Sequence, residues 1–197
     1  MTEITTKPSI VILISGRGSN MKSIVEAIKS GKLDVTVAAV ISNRPDAAGL
    51  EYAQQQGIPT VTIDHKGFES RELFDQAMAK KIDNFMPNLV VLAGFMRILT
   101  TEFVEHFADK LINIHPALLP KFKGLNTHQR AIDAGEKEHG ASVHIVTPEL
   151  DDGPVVLQAR VPVLEGDTET TLAARVLEQE HSLYPEAIKL LITEKQS

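Results

Sequence analysis

The chain has 197 residues, 43% of them apolar, a formal net charge of −6 and no cysteine. That length suits one domain that buries its own core. The missing cysteines exclude disulfides, thiolate metal sites and thiol nucleophiles, and the acidic balance lacks the basic face that duplex nucleic acid requires.

The opening residues MTEITTKP are polar and hold no signal-peptide core. The longest apolar stretch, Leu89 to Met96, is too short to cross a bilayer. A cytoplasmic protein with no membrane or nucleic-acid partner is expected. The whole chain, 1–197, reads as a single domain with flexible ends at 1–8 and 193–197.

Ile10 to Ile14 is a continuous apolar run, as in a parallel strand covered on both faces. A Gly/Ser loop follows. Met21, Ile24, Val25 and Ile28 then recur at helical spacing, which predicts a helix over Met21 to Lys29 with Gly31 as its stop. Val35 to Ile41 is a second strand, Ala47 to Gln56 a helix ended by Gly57, and Thr60 to Ile63 a short third strand. Ser70 can cap a helix running to about Phe85, with Glu72 in its first turn. Leu89 to Ala93 is the fourth strand. A helix over Thr101 to Phe107 leads into the fifth, Leu111 to Ile114. This rhythm implies a parallel sheet with right-handed crossovers.

After Pro116 the pattern changes. Ala141 to Thr147 and Val155 to Val163 are β-rich with no long helix between them, and the Leu150-Asp151-Asp152-Gly153-Pro154 turn allows them to pair antiparallel. A long helix from about Glu169 to Ile192 closes the chain, with Pro185 expected to interrupt or kink it. The fold class is therefore α/β: a doubly wound, mostly parallel sheet with a mixed C-terminal extension.

Ser15-Gly16-Arg17-Gly18-Ser19-Asn20 joins the first strand to the first helix, where unpaired N–H groups and the helix dipole favour an anion. No Gly-Lys-Ser/Thr follows, so this is not a Walker A loop. Met21 replaces the third glycine of the dinucleotide fingerprint. The loop serves either a phosphate or only a tight turn.

Asn113-Ile114-His115-Pro116 is the most informative stretch. Alternate strand residues share a face, so Asn113 and His115 point together while Ile112 and Ile114 pack behind them. They stand at the C-terminal end of a parallel strand, where open α/β sheets bind ligands. An amide N–H and a charged imidazole can both donate to an oxyanion, and the imidazole can also carry a proton. Asp151 or Asp152 could favour the charged imidazole. Strand-end and turn chemistry alone would explain the same residues.

Taken together, Ile14-Ser15-Gly16-Arg17-Gly18-Ser19-Asn20, Ala93-Gly94-Phe95-Met96-Arg97-Ile98-Leu99, Asn113-Ile114-His115-Pro116-Ala117-Leu118-Leu119-Pro120 and Leu150-Asp151-Asp152-Gly153-Pro154 resemble the phosphoribosylglycinamide formyltransferase family in order and spacing. The resemblance runs from Ser9 to about Leu191. Its Asn-x-His-Pro and Asp-x-Gly-Pro elements are shared by a wider formyltransferase superfamily.

The resemblance implies transfer of a formyl group from 10-formyltetrahydrofolate, as co-substrate, to the amine of glycinamide ribonucleotide in purine synthesis. It implies that Asn113 holds the oxyanion, His115 donates the proton and Asp151 orients His115, while Asp152 looks dispensable. Gly18, Ser19, Asn20 and Glu180 match the ribonucleotide site. Arg71, Met96, Arg97, Ile98, Leu99, Asn113 and the turn from Thr147 to Asp151 match the formyl-folate site.

No His-Glu-x-x-His occurs, and His139 and His144 stand five apart, so no metal is expected. His144 is expected on a strand facing the site, or in a structural role beside it; Thr127 is a helix-cap candidate and His128 is left open. Lys121 and Lys123 read as solvated loop residues or as aids to anion steering, and Arg17 could touch the phosphate, with Gly18 and Ser19 the preferred contacts. Hydrolysis of 10-formyltetrahydrofolate is the alternative activity. Relatives that do this carry an extra N-terminal domain, whereas eight residues precede the first strand here. Formyl transfer to a tRNA would call for an added nucleic-acid-binding domain. A non-catalytic binding module has nothing in its favour once the polar trio is intact. A monomer and a homodimer are both compatible with the sequence.

Overall fold

The structure, a computed structural model, describes residues 6–197. Of the expected flexible N-terminal segment, residues 1–5 lie outside the described residues. The strands are β1 (Ser9–Ile14), β2 (Thr36–Ser42), β3 (Thr60–Thr62), β4 (Leu89–Leu92), β5 (Leu111–His115), β6 (Glu138–Ile145) and β7 (Val155–Pro162). The helices are α1 (Ser19–Lys29), α2 (Ala48–Gln55), α3 (Arg71–Asp83), α4 (Thr101–His106), α5 (Thr127–Asp133) and α6 (Glu169–Gln196).

The strands form one seven-stranded sheet in the order β3-β2-β1-β4-β5-β6-β7. β1 to β5 pair parallel, while β6 is antiparallel to both β5 and β7. The mostly parallel sheet with a mixed C-terminal extension is thus present as the sequence predicts. The order reverses between β1 and β4, so their C-terminal ends frame a switch-point crevice.

Alternation along β1 divides the core. Ile10, Ile12 and Ile14 pack beneath α1 and α6, and Val11 and Leu13 pack against Phe74, Met78 and Ile82 of α3 and Phe103 of α4. Helices on both faces explain why these strands read as unbroken apolar runs.

Two helices run past the bounds the sequence predicts. α1 starts at Ser19, because Gly18 turns into the left-handed region (φ 67°) and its carbonyl accepts Lys22 N–H at 2.9 Å. That left-handed turn is what calls for glycine at position 18. α6 extends beyond Ile192 to Gln196, and Pro185 lies inside it without interrupting it. Proline forfeits one helical hydrogen bond; here the ring is buried, and Leu183, Tyr184, Ala187, Ile188 and Leu191 seal the same helix onto the sheet.

Candidate active site

The loops at the crevice are tied together by one hydroxyl. Ser15 Oγ donates to Asn43 Oδ1 at 2.6 Å and accepts Met96 N–H at 2.8 Å, joining the segments that follow β1, β2 and β4. Gly49 N–H also donates to Gly16 O at 3.0 Å. The Gly18-Ser19-Asn20 segment is therefore held in place, with the first N–H groups of α1 available to an anion.

Asn20 is buried and its Oδ1 has no partner. The Glu180 carboxyl of α6 lies beside it, and burial pushes its pKa up to about 7 while Asn20 pulls the other way. Glu180 and the α1 N-terminus thus meet across the fold, although 160 positions separate Asn20 from Glu180.

Asn113 and His115 share one face of β5, opposite the Ile112 and Ile114 side chains buried with α1 and α6. Across the β5–β6 ladder, Asn113 faces His144 and His115 faces Ser142. Asp151 arrives on the turn before β7, in the left-handed region at φ 52°. A Cβ at Gly153 would fall 1.7 Å from Ile145 O, so only glycine lets this turn lie against β6.

Asp151 Oδ2 accepts Gly124 N–H at 2.9 Å and lies 3.5 Å from His115 Nδ1. The other ring nitrogen, His115 Nε2, is 2.8 Å from Phe122 O. Both ring nitrogens therefore face acceptors, and only the imidazolium can donate to both.

His144 Nε2 lies 3.9 Å from Asp151 Oδ1 and is buried without a partner. Burial lowers the His144 pKa, while the Ile145 carbonyl and Asp151 pull the other way and His115 adds to the lowering. The carboxylate is thus flanked by two unlike imidazoles.

The remaining candidates fall into place around this centre. Met96 and Ile98 are strongly exposed on the segment after β4, Leu99 packs against the α3 side of the core, and Arg97 stacks over Phe74 at 4.9 Å. Arg71 is exposed at the first position of α3, which Ser70 caps through Leu73 N–H as expected. Thr147 is half-buried, its hydroxyl 3.5 Å from Glu149 O.

Thr127 is not the cap of α5. Asn126 holds that position in the left-handed region, and the Thr127 hydroxyl instead donates to Pro116 O at 2.6 Å. His128 Nδ1 lies 3.1 Å from His139 Nε2, and burial lowers both pKa values, His139 to about 4. Asp152 pairs with Lys123, and Lys121 with Glu136 at 2.8 Å.

The sequence reading missed the Phe122 carbonyl, for which no side-chain pattern exists. It also missed Ser142, which strand alternation places on the His144 face. A groove of about 390 Å³ between α3 and α4 shares none of the site residues. Among the described residues, no cluster of three or more His, Cys, Asp or Glu is arranged to hold a metal ion.

A switch-point anion loop beside an amide, an imidazole and a carboxylate defines a group-transfer site on an open α/β sheet. The chain belongs to the formyl transferase family, whose pattern it matches over residues 8–188. Within that family it is similar to the phosphoribosylglycinamide formyltransferases. It is 55% identical to the one from Escherichia coli over 90% of this chain and 84% of that protein. It is 47% identical to the one from Haemophilus influenzae over 91% and 85%. The solved phosphoribosylglycinamide formyltransferase of Coxiella burnetii superposes with a TM-score of 0.89 at 52% identity, covering 93% of this chain and 86% of that one.

Proposed function

We propose that the protein transfers the formyl group of 10-formyltetrahydrofolate to the amine of glycinamide ribonucleotide, a step of purine synthesis, in the cytoplasm. The observation that carries this reading is the convergence of Asn113, His115 and Asp151 in a chain so similar to phosphoribosylglycinamide formyltransferases.

The free amine attacks the formyl carbon and the carbonyl π electrons move onto oxygen. Asn113 N–H and the charged His115 imidazole stabilise that oxyanion, His115 Nδ1–H being the one free to turn to it because Asp151 lies 3.5 Å away while Nε2–H stays on Phe122 O. The proton lost by the attacking nitrogen passes to the folate N10 by way of His115, the C–N10 bond breaks, and the carbonyl re-forms on the product amide. Asp151, pinned by Gly124 N–H, holds His115 charged and oriented.

Gly18, Ser19 and Asn20 receive the phosphate, and Glu180 accepts from the ribose hydroxyls. Arg71 and the segment from Met96 to Leu99 receive the folate, whose flat ring suits the exposed Met96 and Ile98 side chains and the backbone near Thr147. No step in this scheme uses a metal.

Hydrolysis of the same donor would need no ribonucleotide pocket, so the buried Asn20–Glu180 pair favours the amine acceptor. The test is incubation with 10-formyltetrahydrofolate, with and without glycinamide ribonucleotide, following tetrahydrofolate release by absorbance. The reading requires release that depends on the ribonucleotide; release without it would assign the protein to hydrolysis.

A further inference from the structure

Side chains from elsewhere in the chain hold much of the segment after His115, alongside the backbone bonds Ala117 N–H to His115 O and Lys121 N–H to Leu118 O. Pro116 O accepts the Thr127 hydroxyl at 2.6 Å, and Ala117 O accepts the Ser142 hydroxyl at 2.7 Å. Leu119 N–H donates back to Ser142 Oγ at 3.0 Å. Gln158 Nε2 on β7 donates to both Leu119 O and Ser142 Oγ, each at 2.9 Å. Ser142 is fully buried, with its one donor and both acceptor directions in use.

None of these side chains contacts His115 through a hydrogen bond. They fix the path of the chain from Pro116 to Leu119, and that path delivers Phe122 O to His115 Nε2 at 2.8 Å. Removing the Gln158 amide leaves Leu119 O without its partner and Ser142 Oγ with a spare acceptor, which frees the segment carrying Phe122.

We infer that Gln158 is a positioning residue for the formyl-transfer step: through Ser142 and Leu119 it sets the Phe122 carbonyl that holds the His115 imidazole charged. This deepens the proposed function and rests on His115 being the proton donor. The groups facing His115 are Asp151 on the turn before β7, His144 and His139 on β6 and His128 on α5. Gly124 N–H, two residues beyond Phe122, also pins Asp151, so a Gln158 variant loosens both acceptors that His115 faces, which disfavours the imidazolium.

The experiment compares wild type with Gln158→Met, which keeps side-chain length and loses both donors. It measures pH profiles of kcat, KM for both substrates and thermal unfolding. The expected result is a kcat about tenfold lower near neutral pH, the order of a partly lost proton donor. The alkaline limb moves to lower pH, and KM changes less than about twofold because uniform binding is untouched. Gln158→Leu, also neutral and without a donor, gives the same signature if the Met variant does not fold. A variant with unchanged kcat, or with lower kcat and an unmoved alkaline limb, overturns the inference while leaving the transferase intact. Absence of ribonucleotide-dependent turnover in wild type overturns both.

Discussion

Asp151 Oδ2 is shared between Gly124 N–H at 2.9 Å and His115 Nδ1 at 3.5 Å, with a neutral-leaning His144 on the other oxygen. Asp151→Asn preserves the shape and keeps an oxygen for Gly124 while removing the charge that sustains the imidazolium. We expect kcat to fall by about 10²-fold or more, the range of general acid–base contributions. The loss should be greatest at neutral pH and above. A pH profile parallel to wild type would contradict the role.

Glu180 makes a second residue-scale test. Its ordinary pKa of 4.5 rises to about 7 because burial penalises the carboxylate. The folded protein therefore prefers the protonated acid, and this group's contribution to stability is full below about 4.5, declines between 4.5 and about 7, and stays reduced above. Glu180→Gln should unfold at a higher denaturant midpoint than wild type above pH 7, with the gap closing toward pH 4.5. The same titration gives wild type a ribonucleotide KM that rises as pH falls below about 7, since a protonated acid accepts from the ribose less well. In Glu180→Gln that pH dependence should flatten.

At the scale of elements, α6 does the most to hold the site together. One turn after Glu180, the fully buried Tyr184 hydroxyl donates to Leu92 O at 2.6 Å and lies 3.3 Å from Ile112 O. These carbonyls belong to β4 and β5, and Ile112 immediately precedes Asn113. Tyr184→Phe removes these buried bonds and should cost about 0.5–1.5 kcal/mol, the net worth of a hydrogen bond; urea unfolding measures it. A loss below a few tenths would mean that the bonds are not made.

The Thr168 capping box starts this helix, and its apolar spacing made it legible. Its passage through Pro185 was not legible, because local propensity opposes it and only burial against the sheet overrides it. The Phe122, Ser142 and Gln158 contacts were hidden for a related reason. A backbone acceptor leaves no mark in sequence, and a glutamine alternating on an edge strand looks like a surface residue.

Across the whole molecule, the switch between β1 and β4 brings the glycine-rich loop after β1, the segment after β4 and the end of β5 to one crevice, while the antiparallel β6–β7 extension supplies His144 and, on its connection, Asp151. The first five strands were readable because helices on both faces demand continuous apolar runs. Asn113 and His115 were readable because alternation at a strand end fixes which way they point. That Asn20 meets Glu180 followed only from a family resemblance, since nothing local connects α1 to α6.

The central claim is that the formyl carbon moves from folate nitrogen to the ribonucleotide amine. The most direct measurement supplies the donor with a ¹³C-labelled formyl group and follows the label by NMR in the presence of glycinamide ribonucleotide. The account predicts that the label appears as a formamide on the ribonucleotide in step with tetrahydrofolate. Label accumulating as free formate would contradict it.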